Sequence, residues 1–151
     1  MAGMSELTLS DYKVLHEFRF QISRFLHFSE QAARTEGLEP RQHQFMLAVR
    51  AHDGDPTVGE LAERLFIRHH SAVELADRLV ERGLAERVRG KSDRRVVRIR
   101  LTTEGKKKLH RLSGAHREEL ATAGPVLSAA LHDVLETLSE NHDEIQNPDL
   151  I

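Results

Sequence analysis

Leu15, Phe18, Ile22 and Phe25 recur at intervals of three, four and three, the period of a helix that buries one stripe. Phe20, Leu26 and Phe28 lie off that stripe, so this helix is apolar on more than one face and needs more than one partner surface. Ser10 is expected to cap it, with Asp11 in the first turn where the helix dipole favours an anion. The pattern runs to Ala32, and Gly37 with Pro40 marks the stop. A second helix is predicted over 41–52, with Phe45, Met46 and Val49 inward, followed by the turn Asp53-Gly54-Asp55-Pro56.

Thr57-Val58-Gly59-Glu60 is a capping box: the Thr57 hydroxyl can accept the Glu60 amide and the Glu60 carboxylate the Thr57 amide. Leu61, Ala62 and Leu65 form a short apolar face after it. The connection Phe66-Ile67-Arg68 leads into a helix over 69–82, with Val73, Ala76, Leu79 and Val80 inward and Gly83 as its stop. Two short helices on a tight connection make a helix-turn-helix. The period then changes. Residues 85–89 are short and extended, 90–93 are loop-like, and 96–101 alternate, with Val97, Ile99 and Leu101 on one side. The two runs predict a β-hairpin whose exposed positions are rich in arginine.

Thr102-Thr103-Glu104-Gly105 opens a long helix with Leu109, Leu112 and Leu120 at helical spacing. Gly124-Pro125 is expected to break it, with Pro125 at the first position of a last helix carrying Leu127, Leu131, Val134 and Leu138. The tail from Asn141 is expected to fray. The fold class this predicts is mainly α with a small β-hairpin wing: a winged helix-turn-helix over about 41–101. The terminal helices, about 8–36 and 103–145, carry apolar seams whose most available partner is a second copy of themselves, so they are expected to form a dimerisation lobe.

Length and composition narrow the function. The 151 residues fit one domain over 1–151, and 39% hydrophobic with 30% charged residues describes a soluble, folded chain. No apolar run reaches the roughly 18 residues of a membrane span, and the start has no basic patch before an apolar core. The expectation is a cytoplasmic protein with no membrane partner. The absence of cysteine excludes disulfides, thiolate metal sites, iron–sulfur clusters and cysteine redox sensing. The net charge of −2 hides an asymmetry: residues 57–101 hold eleven Lys/Arg against seven Asp/Glu, a local +4 that leaves −6 for the rest. Concentrated basic charge is the footprint of a phosphate-binding surface.

Enzymatic chemistry finds no foothold. There is no nucleophile–base motif, phosphate-cradling glycine loop or pair of catalytic carboxylates, and Ser71 beside His70 is no triad because adjacent helical side chains diverge. None of the ten histidines stands three or four residues from another on one helix, so the expected metal set is none, and no cofactor is expected.

The segment 57–109 closely resembles the MarR family of bacterial transcription regulators. The resemblance is carried by Thr57-Val58-Gly59-Glu60-Leu61-Ala62-Glu63-Arg64-Leu65, then Asp77-Arg78-Leu79, Arg82-Gly83-Leu84, Asp93-Arg94-Arg95 and Leu101-Thr102-Thr103-Glu104-Gly105, in that order and spacing. It covers about a third of the chain. It implies a homodimer on a pseudopalindromic duplex operator, with a recognition helix in each major groove and a wing tip in each adjacent minor groove. It also implies release of DNA by a small molecule bound between dimer and DNA lobes. Zinc sensing by histidines from distant helices occurs in some such regulators, and His43 with His110 is the pair this chain offers. The competing reading is a winged-helix adaptor that contacts proteins without specific DNA binding.

Within this frame Arg68, His69, His70, Ser71 and Glu74 open the recognition helix, where bases are read. Val73 either meets a thymine methyl or is core. Glu74 either accepts from cytosine N4 or pairs with Arg78 four residues on, the second being favoured. In the wing, Arg94 and Arg95 are placed to enter a narrow minor groove, and Asp93 to hold a wing arginine in position. Arg87, Arg89, Lys91, Arg98 and Arg100, with Ser92, add phosphate-contact capacity. Phe18, Phe25, Phe45 and Met46 are candidates to line a cleft for an aromatic effector, or are ordinary core.

Overall fold

The computed structural model of the chain describes residues 6–146, with side chains through 140. Its elements are α1 (Leu9–Thr35), α2 (Pro40–Ala51), α3 (Val58–Arg64), α4 (His69–Glu81), β1 (Ala85–Arg89), β2 (Val97–Leu101) and α5 (Thr103–Gln146). They group into two compact units, one of residues 29–116 and one of residues 1–28 with 117–151; α1 and α5 supply residues to both.

The unit 29–116 is the winged helix-turn-helix. Its core includes Ala33, Leu38, Phe45, Met46, Leu61, Ala76, Leu79, Ile99 and Leu112, each at most 2% exposed. β1 and β2 pair antiparallel with Ala85 opposite Leu101 and Arg89 opposite Val97. The chain before α3 adds to this sheet: the Ile99 amide donates to the Pro56 carbonyl at 2.8 Å, and Thr57 bridges to Arg98. Alternation along β2 is as the sequence predicts, with Ile99 and Leu101 buried and Arg100 exposed.

Helix ends follow local chemistry. The Thr57/Glu60 capping box forms as predicted, at 3.2 Å and 2.7 Å. Three helices close with the same pair of backbone bonds, in which the two amides after the cap reach back to carbonyls two and three residues inside the helix end. At α1 these are Gly37 to Arg34 (2.9 Å) and Leu38 to Ala33 (2.9 Å). At α4 they are Gly83 to Val80 (3.0 Å) and Leu84 to Leu79 (2.9 Å). At α3 they are Phe66 to Glu63 (3.2 Å) and Ile67 to Ala62 (3.0 Å).

Four sequence expectations are corrected. The cap of α1 is Thr8, not Ser10: Asp11 Oδ2 accepts the Thr8 amide at 2.6 Å and hydroxyl at 2.7 Å, so the helix starts two residues earlier. On the inward face of α4, Ala76 and Leu79 are buried as expected and Val80 packs half-buried against the core, but Ala72 and Leu75 are the other buried residues and Val73 is only half-buried. Gly124-Pro125 does not divide the C-terminal region; α5 is one helix of 44 residues with Pro125 inside it. A proline removes one helical hydrogen bond and crowds the residue before it. Here that residue is glycine, with no Cβ to crowd, and Pro125 is exposed. The helix also continues past Asn141 to Gln146, and fraying of 147–151 concerns residues outside those described.

In the unit of 1–28 with 117–151, Ala123, Ala130, Val134 and Gln21 are buried. Leu9, Tyr12 and Phe20 on α1 and Leu131, Leu135 and Leu138 on α5 are exposed.

Candidate nucleic-acid interface

The predicted recognition residues stand together at the start of α4. Arg68 is its N-cap, and Arg68, His69, His70 and Glu74 are exposed, with Ser71 half-buried. None of Arg68, His69 or His70 has an ion-pair or side-chain hydrogen-bond partner among the described residues. The favoured Glu74–Arg78 pair is not formed among them either. Both side chains are exposed, which leaves Glu74 as an open acceptor on the front of the helix.

The wing is tightened by its own backbone. The Gly90 amide donates to the Val96 carbonyl at 3.0 Å and the Val96 amide to the Asp93 carbonyl at 3.2 Å. A Cβ on Gly90 would lie 2.7 Å from the Asp93 carbonyl oxygen, so only glycine lets the turn close. Asp93 Oδ1 accepts the Arg95 amide at 3.0 Å and Arg95 Nε at 3.3 Å, the arginine-holding arrangement expected from the sequence. The Arg94 carbonyl accepts Arg89 Nη1 at 2.9 Å, which fixes the backbone at the tip while the Arg94 guanidinium stays exposed and unpaired.

The wing cations therefore divide. Arg87 is bound by Asp77 of α4. Arg100 is clasped by Asp55, with Nη2 at 2.6 Å and Nε at 3.2 Å from its carboxylate, and has Glu86 at 3.8 Å. Arg98 donates to the Asp55 carbonyl at 2.9 Å and lies 4.0 Å from Glu60. These hydrogen bonds from Arg100 hold the Asp55 carboxyl below the usual carboxylate range, and the Thr57 amide does the same for Glu60. Arg87, Arg98 and Arg100 thus brace the hairpin against α4 and the 55–60 segment, whereas Lys91 and Arg94 have no such engagement. The phosphate role expected of all five flanking cations is narrowed accordingly. The acidic clamps Asp55 and Asp77 were not signalled by the sequence, because their partners lie 45 and 10 residues away on other elements.

Several residues of the resemblance acquire a physical role. Arg82 donates to the Gly37 carbonyl at 2.7 Å and to Gln42 Oε1 at 3.0 Å, tying the end of α4 to the start of α2. The Thr102 hydroxyl donates to the Gly83 carbonyl at 2.6 Å and accepts the Gly105 amide at 3.1 Å, capping α5. Gly105 is buried where α5 passes over the Leu84 carbonyl, which a Cβ would overlap.

The histidine expectation is corrected. The neighbour of His43 is His116, six residues further along α5 than His110, with ring centroids 4.8 Å apart. His116 Nδ1 donates to the Leu112 carbonyl at 2.6 Å, and its Nε2 shares a hydrogen bond with the Ser29 hydroxyl, also at 2.6 Å. Burial, then the charge of His116, pushes His43 down to about 4. Among the described residues no three His, Asp or Glu side chains are placed to hold a metal ion. Of the effector candidates, Phe45 and Met46 are fully enclosed in the core of their unit and line no open cleft; Phe18 and Phe25 are half-buried on α1. An open cavity of about 540 Å³ lies instead between Arg50 and Lys106, Leu109, His110 and Arg111.

A helix-turn-helix whose second helix opens on the exposed Arg68, His69 and His70, flanked by a two-stranded wing, defines a winged helix-turn-helix protein. The family model described as MarR family matches residues 36–96. Over this segment the chain is similar to the MarR family. It is 37% identical over 67 residues to the uncharacterized HTH-type transcriptional regulator YsmB of Bacillus subtilis (strain 168), covering 44% of this chain and 46% of that one. It is 35% identical over 75 residues to the HTH-type transcriptional repressor MdtR of the same organism, covering 50% and 48%. The chain thus spans about half the length of the curated relatives it matches. The solved structure of the transcriptional repressor CouR, bound to a 23-mer DNA duplex, superposes with a TM-score of 0.65 at 26% identity, covering 89% of this chain and 99% of that one.

Proposed function

We propose that the protein is a sequence-specific, double-stranded DNA-binding transcription regulator, acting as a homodimer on a pseudopalindromic operator and serving as a repressor released by a small molecule. The observation that carries this reading is the division of cations. The arginines that brace the hairpin are paired, and those at the tip of the wing and the start of α4 are left exposed. Unpaired cations concentrated on one surface favour phosphate binding. The description of MdtR as a repressor and of CouR as a DNA-bound repressor supports the same reading, and no relative reported above is described as an enzyme. Arg94→Ala is expected to weaken binding to a selected duplex and to lower the slope of log affinity against log salt by about one. Binding measured across a salt series checks this; unchanged affinity and slope would remove Arg94 from the interface.

The exposed leucines of α5 and the apolar positions of α1 support self-association. In Leu131→Asp a carboxylate replaces an exposed leucine on that seam, and the variant is expected to sediment as a monomer. Its operator affinity should then fall on the order of a hundredfold as the two half-sites lose their linkage. A monomer that binds as tightly as the wild type would refute the dimer. For the effector, the cationic lining of the cavity beside Arg50 suits a small acidic molecule.

A further inference from the structure

We propose that Phe66, in the turn between α3 and α4, is a DNA-contacting residue that meets a thymine methyl group in the major groove beside the recognition helix. The inference rests on the DNA-binding reading above and adds a contact that the sequence did not suggest, since Phe66 reads there as part of a connection.

Three helices of the unit 29–116 end in the same backbone motif, and each needs one residue with positive φ just past the cap. At the ends of α1 and α4 that residue is glycine, Gly37 at φ 73° and Gly83 at φ 69°. At the end of α3 it is Phe66, at φ 53°, the one non-glycine residue with positive φ among those described. A bulky residue is strained in this conformation, and glycine would adopt it freely. Nor does the side chain offset the strain by packing. Phe66 is 98% exposed, by far the most exposed large apolar side chain described, while the next residue, Ile67, packs against the core. The fold thus carries a strained backbone and a fully hydrated aromatic ring where its own practice elsewhere is glycine. Strain of this kind persists at sites where function selects it.

The surroundings say what the ring would meet. Phe66 is three residues before His69, so at most roughly 11 Å of chain separates it from the first turn of α4, about the width of a major groove. Arg64 and Arg68 stand two residues to either side, and Arg41 shares a small concavity with Phe66. An apolar ring ringed by cations suits a polyanion that presents an apolar group. Duplex DNA does so in the major groove through the thymine C5-methyl, which accepts apolar side chains such as phenylalanine.

The test compares the wild type with Phe66→Gly on duplexes recovered by selection from a random pool, and on the same duplexes synthesised with uracil in place of thymine. Phe66→Gly is expected to keep or raise the thermal midpoint, by about 2–4 °C. It should also lose about fivefold or more in affinity. The salt slope should not change, because no charge is removed. Uracil substitution should weaken the wild type and leave Phe66→Gly indifferent. Equal affinities of the two proteins, equal losses on uracil, or a midpoint lowered by several degrees would each overturn the proposal while leaving the DNA-binding reading in place. Failure of the wild type to select any duplex would overturn both.

Discussion

Replacing Gly105 with alanine should destabilise the protein by about 2–3 kcal/mol, although alanine is the better helix former by about 1 kcal/mol. The added Cβ would overlap the Leu84 carbonyl oxygen and lie 3.0 Å from its carbon and 3.3 Å from the Leu84 Cα. These are backbone atoms, and they have little room to yield. The Leu84 carbonyl accepts the Thr102 amide at 3.1 Å, the Leu84 amide donates to Leu79, and Thr102 is anchored to the Gly83 carbonyl. Relieving the overlap therefore means moving the end of α4, the start of β1 and the cap of α5 together. Denaturant unfolding monitored by far-ultraviolet circular dichroism measures the difference. A change under about 0.5 kcal/mol would show that the approach of α5 to Leu84 is looser than described.

The second large effect is acid destabilisation through His43. Its folded pKa lies near 4, against 6.5 for the free side chain, so the folded protein holds it neutral while the unfolded chain takes up a proton. The stability this contributes is complete above about pH 6.5 and declines as pH falls towards 4. One unit is worth 1.36 kcal/mol, so roughly 2 kcal/mol should be lost between pH 7 and pH 5. Asp55 and Glu60, both lowered, add losses of the same sign at more acidic pH. In His43→Gln the decline between pH 7 and pH 5 should be largely absent. The same decline in variant and wild type would assign it to other groups.

What the sequence made legible was governed by neighbours along the chain. The Thr57/Glu60 box, the Gly37 and Gly83 stops, the alternation of β2 and the Asp93–Arg95 bond all join residues within a few positions of one another, and each is present. The errors have physical sources too. Ser10 lost the cap to Thr8 because Asp11 can receive both the amide and the hydroxyl of Thr8. Pro125 suggests a break by its usual effect, which Gly124 moderates. On the inward face of α4 the sequence identifies Ala76 and Leu79 but not Ala72 and Leu75, which share that face one turn nearer the start of the helix. Partners distant in sequence were not legible: Asp55 with Arg100, Asp77 with Arg87, and His43 with His116 depend on tertiary placement. Of the residues expected at the interface, those opening α4 and Arg94 at the wing tip are exposed, whereas Arg87, Arg98 and Arg100 are engaged by protein groups, and the positive φ of Phe66 has no signal in the sequence.

Whether this surface reads duplex DNA is tested most directly by selection of bound sites from a random duplex pool, with affinity then followed against salt. The expected result is recovery of a pseudopalindrome with half-sites about one helical turn apart, and an affinity that falls steeply as salt rises. Recovery of no sequence, with affinity no better than for arbitrary DNA, would contradict it and favour an adaptor that contacts proteins instead.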